Sequence, residues 1–326
     1  MNEYEFKETD AMAKLKQILR KYKNPVVCYS GGSDSDLIMW MLRNNGIHLQ
    51  AVFYDTGIEY QATKNHVSWM REHHGFDIDV IKPTMPIPTS NKTYGHPFIS
   101  KRVSDYIERL QRHNFDFKSH GNLNFDELWE LYPNAKSALQ WWTNGNGNGS
   151  SFNISRNKYL KEFIMAEGGI PFRVSGRCCE GAKKKPIKKY AKERGIDLAI
   201  LGLRRAEGGL RIDRYKSCYH NTKNGMSLFM PLWWMTNADK EVGNTKYEIV
   251  NSEAYRTYGL KRTGCAGCPF GRNFQDEVDM ILLNEPKLAK GIKNIFSPSY
   301  EFTKKYREFI KEIDGVAYGY IQKRMI

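Results

Sequence analysis

No apolar run in the sequence approaches the ~18 residues that a membrane span requires. The opening Met1-Asn2-Glu3-Tyr4-Glu5-Phe6 is polar and acidic, unlike the basic-then-apolar start of a secretory leader. These two absences argue against a spanning or exported protein and predict a cytoplasmic chain with no membrane partner. Cysteine is sparse, six in 326 residues. In a reducing compartment such thiols stay reduced or bind metal rather than build a disulfide framework. Lysine is missing from the one small-residue loop that invites a phosphate, so the Walker pattern, closed by Gly-Lys-Ser/Thr, is absent there.

What the chain does have is positive charge. The formal net charge is +14 and the sequence pI about 9.3, which favours an anionic partner: a nucleotide, a nucleic acid or an anionic surface. Hydrophobic residues make up 40%, enough for a real core, and the length predicts two domains or one large domain with insertions.

The organising stretch is Val26-Val27-Cys28-Tyr29-Ser30-Gly31-Gly32-Ser33-Asp34-Ser35-Asp36-Leu37. An apolar β-rich run feeds a loop of serines and glycines, which feeds a helix. Glycines let a ligand approach the backbone, and the amides of the first helical turn point at it, so phosphate is the expected guest. Asp34 adds a negative charge at that point, which suits a magnesium ion or a role in orienting the loop.

Periodicity predicts a packing helix over 11–22, a crossover helix over 36–45 and a strand from Leu49 to Asp55. A helix from Glu59 to His73 and a short strand from Asp77 to Lys82 follow. Strand and helix alternating at this spacing predict α/β architecture: an open, mostly parallel sheet with helices on both faces. Prolines 83, 86 and 88 break the rhythm, and 83–156 reads as a helical insertion carrying the low-complexity run Asn144–Gly149, expected to be a mobile loop. Further on, a helix is expected over 157–166, a strand at Phe172-Arg173-Val174, a helix started by Pro186, a strand from Asp197 to Leu201 and a terminal helix over 299–326. The segment 206–264, with Arg211, Arg214, Lys216 and Cys218, does not parse. The expected division is a nucleotide-binding α/β domain over 1–205 and an irregular, cysteine-containing region over 206–326.

Three segments follow the carboxyl ends of expected strands: Ser30 to Ser35, Asp55-Thr56-Gly57, and Gly202 to Arg205. In an open parallel sheet that edge holds the ligand. Arg204 and Arg205 suit bidentate phosphate or sulfate clamping, or a surface ion pair. Asp55 suits a metal or a ribose hydroxyl, or a plain strand-end turn. A second constellation pairs Cys178-Cys179 with Cys265-Ala266-Gly267-Cys268. Four sulfurs in two pairs suit zinc or an iron–sulfur cluster equally, and spacing does not choose between them.

Ser30-Gly31-Gly32-Ser33-Asp34-Ser35 resembles the SGGxDS loop of the adenine nucleotide α-hydrolases. Cys178-Cys179-Glu180-Gly181-Ala182-Lys183-Lys184-Lys185-Pro186 is similar to the CC-x-x-x-K-x-x-P stretch of adenylylsulfate reductases, and Cys265 to Cys268 to their CxxC. Asp55-Thr56-Gly57 and Gly202-Leu203-Arg204-Arg205 match further motifs in the same order. The resemblance, spanning about 25–271, is to the phosphoadenosine phosphosulfate reductase family. It implies adenine nucleotide binding at Ser30–Ser35, Asp55–Gly57 and Gly202, with ATP and Mg²⁺ and with Asp34, Arg204 and Arg205 acting on phosphate. It also implies a [4Fe–4S] cluster on Cys178, Cys179, Cys265 and Cys268, with zinc as the alternative.

One departure matters. The reductases carry a nucleophilic cysteine in a short C-terminal tail, whereas no cysteine follows Cys268 here. The resemblance therefore implies ATP cleavage at the α-phosphate to activate an acceptor, with sulfur transfer to nucleic acid as one outcome and a sulfur donor or reductant protein as partner. Sulfonucleotide reduction through Cys218 or an external thiol is the alternative. A non-catalytic nucleotide- or nucleic-acid-binding component of a mobile-element system is a third.

Overall fold

The computed structural model describes residues 2–208, 215–221, 225–271 and 273–324, with side chains to residue 315; Arg211 and Arg214 lie outside the described residues. The chain divides into two compact units. One comprises Met1–Thr84, Gly181–Ala266 and Asp279–Leu288; the other comprises Met85–Glu180, Gly267–Val278 and Ala289–Ile326.

The first unit holds a six-stranded sheet in the order β3-β2-β1-β4-β6-β5. Its strands are β1 (Pro25–Tyr29), β2 (Ala51–Tyr54), β3 (Ile78–Ile81), β4 (Leu198–Leu201), β5 (Tyr219–His220) and β6 (Ser227–Phe229). All pairings are parallel except β5 on β6. The expected open α/β sheet is thus what forms. The register sets Val27 beside Ala51 and Ile200, so alternate residues of the central strands point to opposite faces. On one face Val27, Phe53, Leu198, Ile200 and Phe229 meet α1 (Glu3–Leu19) and α2 (Ser33–Asn44), and Val67 and Met70 of α3 (Gln61–Glu72) join the same core. On the other, Val26, Val52 and Ala199 meet Tyr190 of α9 (Lys185–Glu193). Strands buried on both sides read as continuous apolar runs, which is why they were visible in the sequence.

Helix ends follow local chemistry. Asn2 and Glu5 form a capping box, so α1 starts eight residues before the periodicity suggested. Pro186 stands in the first turn of α9, where its missing N–H costs nothing. The start of α3 has no side-chain cap of its own; the buried Glu285 instead accepts from the amides of Gln61 (2.8 Å) and Ala62 (3.0 Å).

The second unit contains α4 (Ile87–Tyr94), α5 (Lys101–Arg112), α6 (Phe125–Leu131), α7 (Lys136–Trp142) and α8 (Leu160–Ala166), and it takes in most of the long helix Pro286–Arg324. Its core is aromatic, built on Phe98, Trp141, Trp142, Phe163 and Phe302. Phe172-Arg173-Val174 is not a strand. Gln111 bonds the Phe172 carbonyl and the Val174 amide, both at 2.8 Å, so a side-chain amide replaces most of a ladder and one bridge to His96 remains. Side-chain amides tie the Asn144–Gly149 run to the residues after it, Asn146 bonding the Phe152 carbonyl and Asn153 the Gly147 carbonyl. Among the described residues no helix is long and apolar enough to cross a membrane.

Candidate functional site

β1 ends at Tyr29 and α2 begins at Ser33, so Ser30, Gly31 and Gly32 make the turn between them. Gly31 sits at φ +65°, a left-handed conformation in which a side chain is strained. A Cβ there would also come within 2.8 Å of Thr63 Cγ2, so α3 closes on the loop from one side. Ser35 Oγ gathers the loop: it accepts from the amides of Ser30 (3.2 Å) and Gly32 (3.1 Å) and donates to the Gly32 carbonyl (2.7 Å). The amides of Ser35 and Asp36 bond to the Gly32 carbonyl, whereas those of Ser33 and Asp34 come too early in the helix for an intrahelical acceptor. The Tyr255 hydroxyl, 3.2 Å from Thr263 Oγ1, reaches the Ser33 backbone, and burial above all pushes its pKa up.

Beneath the loop lies a network that motif reading missed. Asp36 is fully buried and accepts from the Tyr29 hydroxyl at 2.6 Å, while His66 Nε2 lies 3.0 Å from both its oxygens. Burial, then the Asp36 charge, raises the Tyr29 pKa. The available signal was position: Asp36 directly follows the loop motif, and an acidic residue amid Leu37-Ile38-Met39 is out of place unless partnered.

The Gly202–Arg205 segment leaves β4 beside the loop. A Cβ on Gly202 would lie 3.2 Å from both Asp34 C and Ser35 N, so glycine lets the strand end pass against the first turn of α2. Arg204 is buried. Its Nε donates to Asp34 at 2.7 Å and its Nη1 to Asn237 at 2.9 Å, and Lys240 stands 3.6 Å from the same Asp34 oxygen. The negative charge of Asp34 is thereby balanced by two cations. Arg205 is exposed, with its guanidinium 5.7 Å from the centre of the Trp234 ring.

After β2, Asp55 accepts from the Gly57 amide at 2.8 Å and pairs with Lys64 at 3.3 Å. Thr56 is buried and donates to Glu59 at 2.9 Å. Cys265 Sγ lies 3.5 Å from Thr56 Oγ1, and Cys265 bridges to Glu59, so one cysteine of the CxxC stands against the Asp-Thr-Gly turn. The loop, this turn and the Gly202–Arg205 segment leave the carboxyl ends of three adjacent strands. Convergence at that edge is what the sequence predicts and what the sheet delivers.

The remaining cysteines fare differently. Cys265 belongs to the first unit; Cys178, Cys179 and Cys268 belong to the second. None of the six cysteines forms a disulfide. Among the described residues no group of three His, Cys, Asp or Glu side chains that could hold a metal ion is gathered. Cys218 lines a cavity of about 180 Å³ with Phe6, Phe229 and Trp234, and no residue of the Ser30–Ser35 loop lines that cavity.

The fold and edge define an open, parallel α/β sheet protein with a serine–glycine loop at the carboxyl ends of its strands. No family model matches the chain. It is similar to an uncharacterized protein of Methanocaldococcus jannaschii, at 24% identity over 301 residues covering 88% of this chain, and it spans 45% of that relative's length. Among solved structures it is similar to a phosphoadenylyl-sulfate reductase from Candida auris, with TM-score 0.45, 15% identity, 78% of this chain and 87% of that one. It is also similar to the U34-tRNA thiolase NcsA of Methanococcus maripaludis with its [4Fe–4S] cluster, with TM-score 0.34, 12% identity, 91% of this chain and 79% of that one.

Proposed function

We propose that the first unit binds an adenine nucleotide with its phosphates on Ser30–Ser35, and cleaves ATP between the α and β phosphates to activate an acceptor. A nucleophilic oxygen of the acceptor attacks the α-phosphorus, the bond to the bridging oxygen breaks, and pyrophosphate leaves with the Mg²⁺ that accompanied ATP. The chain's contribution is positioning and charge balance. The Asp34 amide faces the phosphates at the positive end of α2, beside the Tyr255 hydroxyl that meets the Ser33 backbone. Arg204 and Lys240 hold and neutralise Asp34, so that carboxylate orients the loop instead of repelling the ligand. Arg205, at the exposed edge, meets phosphate directly. Asp55, Thr56 and Gly57 line the nucleotide side, with Gly202 keeping the strand end close.

One observation carries this reading: three glycine-bearing segments from three adjacent parallel strands meet at one edge, with a Cβ at Gly31 brought to 2.8 Å of its neighbour and one at Gly202 to 3.2 Å. Sulfonucleotide reduction through Cys218 is the second reading; that thiol lines a cavity in which no residue of the Ser30–Ser35 loop takes part. A sulfur donor or reductant protein as partner, and a [4Fe–4S] cluster or zinc on the four paired-motif cysteines, are finer readings open to anaerobic iron, sulfide and zinc analysis; the chemistry proposed needs no step at them.

The test follows α-labelled ATP, with an RNA as candidate acceptor, to the adenylylated acceptor, or to AMP once water or a second nucleophile displaces it, and to pyrophosphate, with adenylylsulfate and sulfite release assayed in parallel. Arg205→Ala is expected to weaken nucleotide binding about tenfold or more, as loss of a charge-assisted bond would, while leaving the melting temperature nearly unchanged. ATP that neither binds nor turns over, or sulfite released from adenylylsulfate, would refute the assignment.

A further inference from the structure

α9 carries a stripe of cations with no counterpart in the nucleotide chemistry. Lys185, Lys188, Lys189, Lys192 and Arg194 are all exposed, while Pro186 and Tyr190 turn inward to the sheet. Positions three and four apart share one helix face, so the charges recur about every 5–6 Å along the axis. Two members have acidic partners, Glu193 at 3.8 Å from Lys189 and Asp79 at 3.6 Å from Arg194, both at exposed sites where such pairs are weak. Beyond the helix end, Asn24 bonds the Gly195 carbonyl at 3.1 Å, which sets the exposed Lys21 and Lys23 next to the stripe. At the other end, Lys183 lies 3.6 Å from Glu59, in the segment after β2. The stripe therefore starts at the carboxyl edge of the sheet, where the nucleotide loop lies, and runs along one face of it.

We propose that α9 is the docking surface for a nucleic-acid strand, its phosphodiester backbone lying along Lys185, Lys188, Lys189 and Lys192 and ending at the nucleotide edge. A line of evenly spaced cations suits a linear polyanion. An anionic bilayer is the poorer match, because a membrane-lying helix presents Trp, Phe or Leu at its exposed border and no large apolar side chain of α9 is exposed. The inference rests on the proposed function for why an acceptor is brought there, and on charge geometry for where it binds.

The test is fluorescence anisotropy with a 20-nucleotide RNA, the same sequence as DNA, and phosphatidylserine vesicles, over a salt series. A variant with Lys185, Lys188, Lys189 and Lys192 changed to Gln is compared with a charge-matched variant carrying Gln at Lys92, Lys118, Lys290 and Lys293. Each phosphate contact on a single strand contributes about 0.7 to the slope of log K against log salt. The α9 variant is expected to bind RNA at least tenfold more weakly at 0.1 M salt with a slope about 3 units shallower, and the matched variant to stay within twofold of wild type. Equal losses in both variants, no nucleic-acid binding by wild type at 0.05 M salt, or preference for vesicles would each overturn the proposal. ATP binding by the α9 variant is expected to match wild type. RNA binding that persists where ATP turnover is absent would sink the nucleotide reading and leave this surface standing.

Discussion

Replacing Gly31 with alanine imposes two separable costs. The first is conformational: at φ +65° an L-residue pays about 1–2 kcal/mol. The second is steric: the new Cβ would stand 2.8 Å from Thr63 Cγ2 and 3.3 Å from Val67 Cγ2, and overpacking of this kind costs about 1–3 kcal/mol. Together they reach about 2–5 kcal/mol, a large share of the ~5–15 kcal/mol by which a domain is stable. Urea denaturation measures the sum, and nucleotide titration of the folded fraction reports whether the loop keeps its shape. A double-mutant cycle separates the parts. Thr63→Ser removes the opposing methyl and leaves φ unchanged, so Gly31→Ala combined with Thr63→Ser should recover about 1 kcal/mol or more relative to additivity. A cycle that closes within ~0.3 kcal/mol, or a Gly31→Ala protein as stable as wild type, would show that α3 does not close on the loop as described.

Two further outcomes follow from buried groups. Asp36→Ala strands the Tyr29 hydroxyl and the His66 ring below the loop, and each buried polar group left without its partner costs about 1–3 kcal/mol; Asp36→Asn, which keeps an acceptor, is expected to lose less in the same urea experiment. Burial pushes the Cys28 thiol up to about 12. The raised value favours the neutral thiol in the folded state, so its contribution to stability is complete below the unfolded thiol range near pH 8.5–9 and is lost as pH rises toward 12. At pH 8.5 the partly buried Cys28 should therefore react with iodoacetamide more slowly in the native protein than in urea, read by peptide mass; equal rates would contradict a raised thiol value.

Local chemistry was enough to set out much of this protein. Continuous apolar runs gave β1, β2 and β4, because strands covered on both faces need no alternation, whereas the edge strand β3, Ile78-Asp79-Val80-Ile81, was marked by its short β-rich run stopped at Pro83. Their carboxyl ends carried Ser30–Ser35, Asp55–Gly57 and Gly202–Arg205, and parallel order then places such segments together. Only the tertiary structure decided what has no local signature. β6 is three residues long and is a strand because β4, distant in sequence, pairs with it. Phe172–Val174 has strand composition, yet Gln111 satisfies its backbone. Arg204 looked like a ligand clamp, and its use as the partner of Asp34 and Asn237 depends on elements some 170 and 33 residues away. Asp36 became the buried acceptor of Tyr29 and His66 only once α2 and α3 packed side by side. Short-range propensity writes strands and turns; which buried charge meets which partner is settled by packing, since an unpaired one costs too much to leave.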